Sequence, residues 1–412
     1  MTSNYKKLGQ YIQPINIRNK DLEELPLMGL SINKVFIPSI ANTIGTNMAS
    51  YKIIKRNQFA YGPVTSRNGD KITIALFEDY DKALISQAYI PFEVIDENIL
   101  NPEYLMMWFR RAEFDRYARF KSHGSARETF DWEEMCEVEL PVPSIKKQLE
   151  IVKEYNTVVN RIKLNEQLNQ KLEETAQALY KYWFVDFEFP NAEGKTYKSS
   201  GGEMVYNEEL DMEIPEGWST KKIKDIGNVV TGKTPSTSRT DYFDGDIPFL
   251  TIPDMHKKLF VVNTSRSLTK IGANSQSNKT LPPKTICVSC IGTGGLVVLT
   301  DNSVQTNQQI NSVIPYKIQY TNFYFFNLKQ KGKEIIEYGN KGSVGVNMNK
   351  SEFEELIMIE PKNEIKLEFS QKIEACLNAS NLNQKELLRL ENLKDLLLSK
   401  MTKVEVEKEL TN

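Results

Sequence analysis

Between Pro143 and Pro190 apolar residues recur at alternating spacings of three and four, and Ile151, Tyr155, Val158, Ile162, Leu172, Ala176, Leu179 and Trp183 fall on one stripe. No glycine or internal proline interrupts the run, so the spacing predicts about ten turns of helix, about 57 Å long. A stripe this narrow suits one partner helix better than a broad core. The helical phase is lost from Tyr180 onward, in YKYWFVDFEFP, where aromatic residues including Phe184 fall on several faces and call for a large apolar cover. A second stripe, Phe369, Ile373, Cys376, Leu387, Leu390, Leu397 and Met401, predicts a second long helix from about Asn363 to Lys403.

The two helices belong to a duplication. Shifting the sequence against itself by 218 positions pairs Gly124-Ser125 with Gly342-Ser343, Pro143 with Pro361, Leu149-Glu150 with Leu367-Glu368, Leu164-Asn165 with Leu382-Asn383, and Leu172-Glu173 with Leu390-Glu391. The match runs without a gap from Gly124 to Trp183. Each half is therefore a globular block followed by a long helix. The first block, residues 1–142, mixes short β-rich runs such as YKIIKRNQFAYGP, KITIALF and QAYIPFEVI with turn signals, then a helical segment entered at Pro102. The second, residues 216–361, has strand-like runs such as TICVSCIG and LVVLTD before the helical TNFYFFNLKQKGKEIIEYG. Between them lie the central helix, residues 143–189, and a Gly/Ser/acid-rich connector with one short hairpin, residues 190–215. A distal helix, residues 362–405, and a tail, residues 406–412, complete the chain.

The expected fold class is α+β: two pseudo-symmetric mixed α/β domains separated by two long helices that form an antiparallel coiled coil. The connector lets the chain enter its second block at the far end of the first helix, and the last helix then returns antiparallel. Each stripe turns polar near its middle, at Asn165 and at its repeat mate Asn383. Antiparallel pairing brings these two together, where a buried asparagine in the seam sets register. The expected partner-facing positions are Ile151, Val158, Ile162, Asn165, Leu172, Leu179, Trp183, Phe184, Phe369, Ile373, Asn383, Leu390 and Leu397.

Composition narrows the chemistry. A net charge of −2 excludes a protein that coats nucleic acid by overall charge, so binding of that kind has to be local. The N-terminus has no apolar signal core and no run of about eighteen apolar residues occurs, which places the chain in the cytoplasm with no membrane partner. Cys287 and Cys290 form a C-x-x-C without a second pair, in a strand-like run where buried small residues are expected and a metal is not. Gly292-Thr293-Gly294-Gly295 lacks the lysine and helix of a phosphate loop and reads as a hairpin turn. Glu133-Glu134 and Glu354-Glu355 precede strand-like segments in both halves, so repeated architecture explains them better than catalysis.

A family resemblance now enters. YKYWFVDFEFPN, Tyr180 to Asn191, is similar to the WFVDFEP-type end of the central helix in the specificity subunit of type I restriction–modification systems. TGKTPSTSRTDYFDGDIPFLTIPDM and TNQQINSVIP resemble the G-x-T-P, I-P and N-Q-x-I stretches of that family's recognition domains, and the first block resembles another branch of them. The resemblance spans essentially the whole chain. It implies a non-catalytic subunit, each domain reading one half of a bipartite sequence in double-stranded DNA while the helices set the spacer and dock two modification (methyltransferase) subunits. S-adenosylmethionine would reside in those partners, with none in this chain, and a motor-nuclease restriction subunit is a further partner in some systems. The chain has no N-P-P-Y tetrapeptide of adenine methyltransferases.

Base reading needs donors and acceptors on loops with phosphate contacts beside them. Two loops per block qualify. In the first block they carry Thr65, Ser66, Arg67, Asn68 and Lys71, and Lys121, Ser122, His123, Ser125 and Arg127. In the second they carry Lys233, Thr234, Ser236, Ser238 and Arg239, and Lys341, Ser343, Asn347 and Lys350. A structural adaptor that binds two protein partners without DNA specificity has the same sequence plan and stays open at this point.

Overall fold

The computed structural model describes residues 5–40, 45–66, 68–124, 127–339 and 346–403. Its contacts divide the chain into two compact units, residues 1–162 with 389–412, and residues 163–388. The division differs from the block boundaries expected above, because it cuts through both long helices. Each unit takes one end of each.

The long helices are Ile145–Phe184 and Asn363–Lys400, the second extended by a 3₁₀ turn to Lys403. Phe187, with φ +61°, turns the chain out of the first helix in the left-handed region. Within the second unit Asn383 Nδ2 donates to Asn165 O at 2.7 Å, while the Phe369 ring lies 5.8 Å from Tyr180 and 6.0 Å from Trp183. Residue number rises along one helix as it falls along the other, so the two run antiparallel. In the first unit the same pairing continues, with Val152 and Tyr155 sharing a core with Leu398 and Met401. Trp183, Phe184, Phe369 and Ile373 are buried, as are Val158, Asn165 and Asn383. Ile151, Ile162, Leu172, Leu179, Leu390 and Leu397 are half-buried.

The first unit holds two four-stranded sheets. One has the order Ile12–Pro14, Ile90–Val94, Phe59–Tyr61, Ile74–Leu76, all antiparallel; the other has Phe36–Pro38, Leu27–Leu30, Lys82–Ile85, Lys52–Lys55, with the middle pair parallel. The single helix expected from Pro102 is two, Pro102–Phe109 and Ala112–Phe120. Asn101 caps the first, accepting from Tyr104 N at 3.0 Å. The break falls at Arg111, which leaves helical geometry and lays its guanidinium over the Trp108 ring at 4.1 Å. The second unit breaks in the corresponding place, into Thr321–Gln330 and Gly332–Gly339.

The second unit is built on a five-stranded sheet in the order Gly227–Thr231, Ile310–Pro315, Ile286–Ser289, Val297–Thr300, Phe260–Val261. A three-stranded sheet adds Arg266–Leu268, Phe243–Leu250 and Gln305–Thr306. The expected connector hairpin is present, Met204–Asn207 against Met212–Pro215. The aromatic run that ends the central helix finds its cover here: Tyr180, Trp183, Phe184, Phe187 and Phe189 are buried with Trp218, Phe323, Phe326 and Phe369. In both units an opening strand pairs with the strand that leads into a long helix, Tyr5–Lys7 with Glu139–Pro141 and Ser219–Lys222 with Ile357–Glu360. Glu133-Glu134 and Glu354-Glu355 lie just before those leading strands, the repeated position that the sequence suggested. Among the described residues no helix is long and apolar enough to cross a membrane.

Candidate nucleic-acid interface

In the first unit the two loops singled out by sequence are joined. Val64 bridges Thr129, His123 bridges Thr129, and Thr65 N donates to Glu128 O at 3.0 Å. Thr65 is itself a correction: it is 1% exposed, and its hydroxyl donates to Ser122 Oγ at 2.9 Å, so it ties the loops together and faces no ligand. Ser122 in turn donates to Ala118 O at 2.7 Å, and Asn68 Nδ2 to Val64 O at 3.1 Å, which commits both side chains to the loop's own shape. Lys121 pairs with Glu134 at 3.0 Å, and that carboxylate raises the lysine's pKa above its ordinary value. His123 lies 3.7 Å from the same carboxylate. Ser66, Lys71 and Arg127 are exposed, and among the described residues Lys71 and Arg127 have no ion-pair partner. Arg67 and Ser125 lie outside the described residues.

The second unit brings three segments side by side. The loop after Gly227–Thr231 carries Lys233, exposed, and Thr234, whose hydroxyl donates to Gln308 Oε1 at 2.8 Å. Ser236 and Ser238 hydrogen-bond each other at 2.8 Å. Arg239 is clamped by Asp241 at 2.7 and 2.8 Å and lies 4.6 Å over the Tyr242 ring; the hydrogen bonds it donates to Asp241 hold its pKa above the ordinary value. Its charge is answered within the protein, whereas Lys233 has no ion-pair partner among the described residues. The glycine-rich stretch lies in the expected hairpin connection, since Ile286–Ser289 pairs antiparallel with Val297–Thr300 and Gly295 N donates to Ser289 O at 2.9 Å; within it Ile291–Gly292 also pairs with the distant Val346–Asn347. A Cβ at Gly295, φ +79°, would meet Gly332 O at 2.5 Å, so this close backbone contact requires glycine. Asn347 is exposed, and Lys350 pairs with Glu354 at 3.4 Å. Lys341 and Ser343 lie outside the described residues.

Sequence reasoning did not single out Gln308 and Gln309, which lie between these segments in the turn that enters Ile310–Pro315, an interior strand of the five-stranded sheet. Their signal was a pair of adjacent amides between two strand-like runs, where a turn is expected. Cys287 and Cys290, by contrast, are buried in the sheet core, and burial pushes both thiols up to about 12. Among the described residues no group of three or more His, Cys, Asp or Glu side chains could hold a metal ion.

Comparison with known proteins gives the same picture twice over. Residues 16–174 and 215–392 each match the model of the type I restriction modification DNA specificity domain. The chain is 31% identical to the HindI specificity subunit of Haemophilus influenzae, over 91% of this chain and 92% of that one. It is 27% identical to the MjaIX specificity subunit of Methanocaldococcus jannaschii, over 75% and 70% of the two chains. A crystal structure of the S subunit of a type I system from M. genitalium shares the fold, with a TM-score of 0.57 at 13% identity over 98% and 96% of the two chains.

Proposed function

The chain belongs to the family of type I restriction–modification DNA specificity subunits, and from that premise we propose that its two domains each read one half of a bipartite target in double-stranded DNA. Specificity subunits are not themselves catalytic; the reaction lies in other subunits of the complex. In this reading the helix pair sets the number of unread bases between the half-sites and docks two modification subunits. Those subunits supply S-adenosylmethionine and methylate adenine, and a motor-nuclease subunit joins where restriction is required.

The observation that carries the reading is the duplicated specificity domain, each copy followed by a long helix. One domain would read a short sequence only; two copies on one polypeptide with an antiparallel helix pair specify two short sequences at a fixed interval. The exposed cations without an ion-pair partner among the described residues support local contact with phosphates in a protein whose net charge is −2: Lys71 and Arg127 in one unit, Lys233 in the other. The test is methylation-sensitive sequencing of DNA modified by the chain reconstituted with its modification subunits. The expected result is a bipartite motif with a constant gap. Methyl transfer by the isolated chain, or DNA binding without salt dependence, would refute it.

A further inference from the structure

The turn Asn307 to Ile310 is fixed from three sides. Gly232 N donates to Ile310 O at 3.0 Å, Lys233 N to Thr306 O at 2.9 Å, and Cys290 N to Gln309 O at 2.9 Å. Inside the turn Asn307 Oδ1 accepts from Gln309 N at 3.1 Å, which dictates how the Asn307 amide faces. Its Nδ2 then donates to Gln309 Oε1 at 2.9 Å. Beside it, Thr234 Oγ1 donates to Gln308 Oε1 at 2.8 Å.

Both glutamine oxygens are therefore used within the protein, and neither Nε2 has a hydrogen-bond partner among the described residues. Gln308 is exposed and Gln309 half-exposed. A Cβ at Gly292 would stand 3.3 Å from Gln309 Nε2, so the glycine leaves that amide uncovered. The exposed Lys233 adjoins Thr234. What this turn offers a ligand is mainly donors, two free Nε2 groups beside the Lys233 ammonium.

That restriction has a chemical meaning. A carboxamide free at both ends matches adenine, which presents an acceptor and a donor in the major groove; one whose oxygen already accepts within the protein keeps its Nε2 wholly free and is biased toward donating. In the major groove the base that presents two acceptors and no donor is guanine, through N7 and O6, and the phosphate oxygens are acceptors at every step. We infer that Gln308 and Gln309 contact the DNA of the half-site read by the second domain, donating through Nε2 to such an acceptor edge. The inference rests on the proposed function above and adds to it the residues and the polarity of the contact.

The test uses the full chain in the reconstituted complex, as Gln308→Ala, Gln309→Ala, the double variant and Thr234→Val. Methylated motifs are sequenced, and affinity for a fixed target is measured across salt. If the turn meets guanine, the alanine variants relax one or two positions of one half-site, by about ten-fold per lost contact. Thr234→Val, which frees Gln308 Oε1, then shifts the same position toward adenine. If it meets phosphate, affinity drops several-fold with the motif unchanged and the salt slope kept, because a neutral amide releases no counterion. A double variant with wild-type motif and wild-type affinity overturns the inference. A wild-type complex without any bipartite motif overturns the proposed function instead, so the two failures are distinguishable.

Discussion

Phe369→Ala tests the joint between the helix pair and the second unit. The ring is fully buried, 5.0 Å from Phe184, 5.8 Å from Tyr180, 6.0 Å from Trp183 and 6.2 Å from Phe326. Truncating a buried phenylalanine costs about 3–5 kcal/mol, through lost transfer energy and the cavity left behind. The contacts to Tyr180, Phe184 and Phe326 are edge-on, the favourable arrangement, which places the cost at about 4–5 kcal/mol. With a shift of about 2–4 °C per kcal/mol for a unit of this size, melting of the second unit falls by about 8–20 °C. Its repeat mate Ile151 is half-buried, so Ile151→Ala should cost less than about 2 kcal/mol. Thermal unfolding combined with hydrogen exchange of peptides covering residues 176–189 and 321–330 reads the effect where it arises. Equal loss of protection in both units, or a shift for Phe369→Ala no larger than for Ile151→Ala, would refute the reasoning.

Lys366, 1% exposed, pairs with Glu360, which also takes Lys221 at 3.1 Å, so Glu360→Gln leaves a buried ammonium short of its counter-charge and should cost about 3–5 kcal/mol in urea unfolding of the second unit. Burial holds the Lys366 pKa below the ordinary 10.5. The unfolded chain thus binds more protons in the window between the folded value and 10.5, and stability rises with pH through that window; in Glu360→Gln the folded value drops further and the rise begins at lower pH. Cys287 and Cys290, with thiols pushed up to about 12, should escape alkylation in the native chain at pH 8 and react once it unfolds; reaction at the rate of an exposed thiol would contradict their burial. Replacing Asn165 and Asn383 together by leucine removes the buried Asn165 Nδ2, which has no partner among the described residues, and should raise the melting temperature while loosening helix register, seen as more than one spacing between half-sites in the methylated motif.

Much of the architecture was legible because it is periodic. The stripe from Ile151 to Trp183 and its copy from Phe369 onward announce two helices, and the 218-residue shift announces two similar units, without any knowledge of distant contacts. The polar interruptions at Asn165 and Asn383 even predicted which residues meet, since register in an antiparallel pair follows from position alone. Helix breaks were not legible: nothing in PEYLMMWFRRAEFDRYARF marks Arg111 as the residue that leaves the helix, because its guanidinium settles against Trp108 only once the unit has packed.

The loops show the same limit in sharper form. Thr65 and Ser66 are neighbours of like chemistry, yet one is buried against Ser122 and the other is exposed, a difference set by a loop some sixty residues away. Arg239 and Lys233 are both cations in one basic loop, and Asp241 answers the first while the second stays unpaired among the described residues. The sequence by itself determined the elements, their duplication and the helix seam, since each depends on residues a few positions apart or on one repeated interval. Tertiary structure alone decided which polar side chains are consumed inside the protein and which are left to meet a ligand, because hydrogen bonds between loops join residues whose separation along the chain carries no pattern.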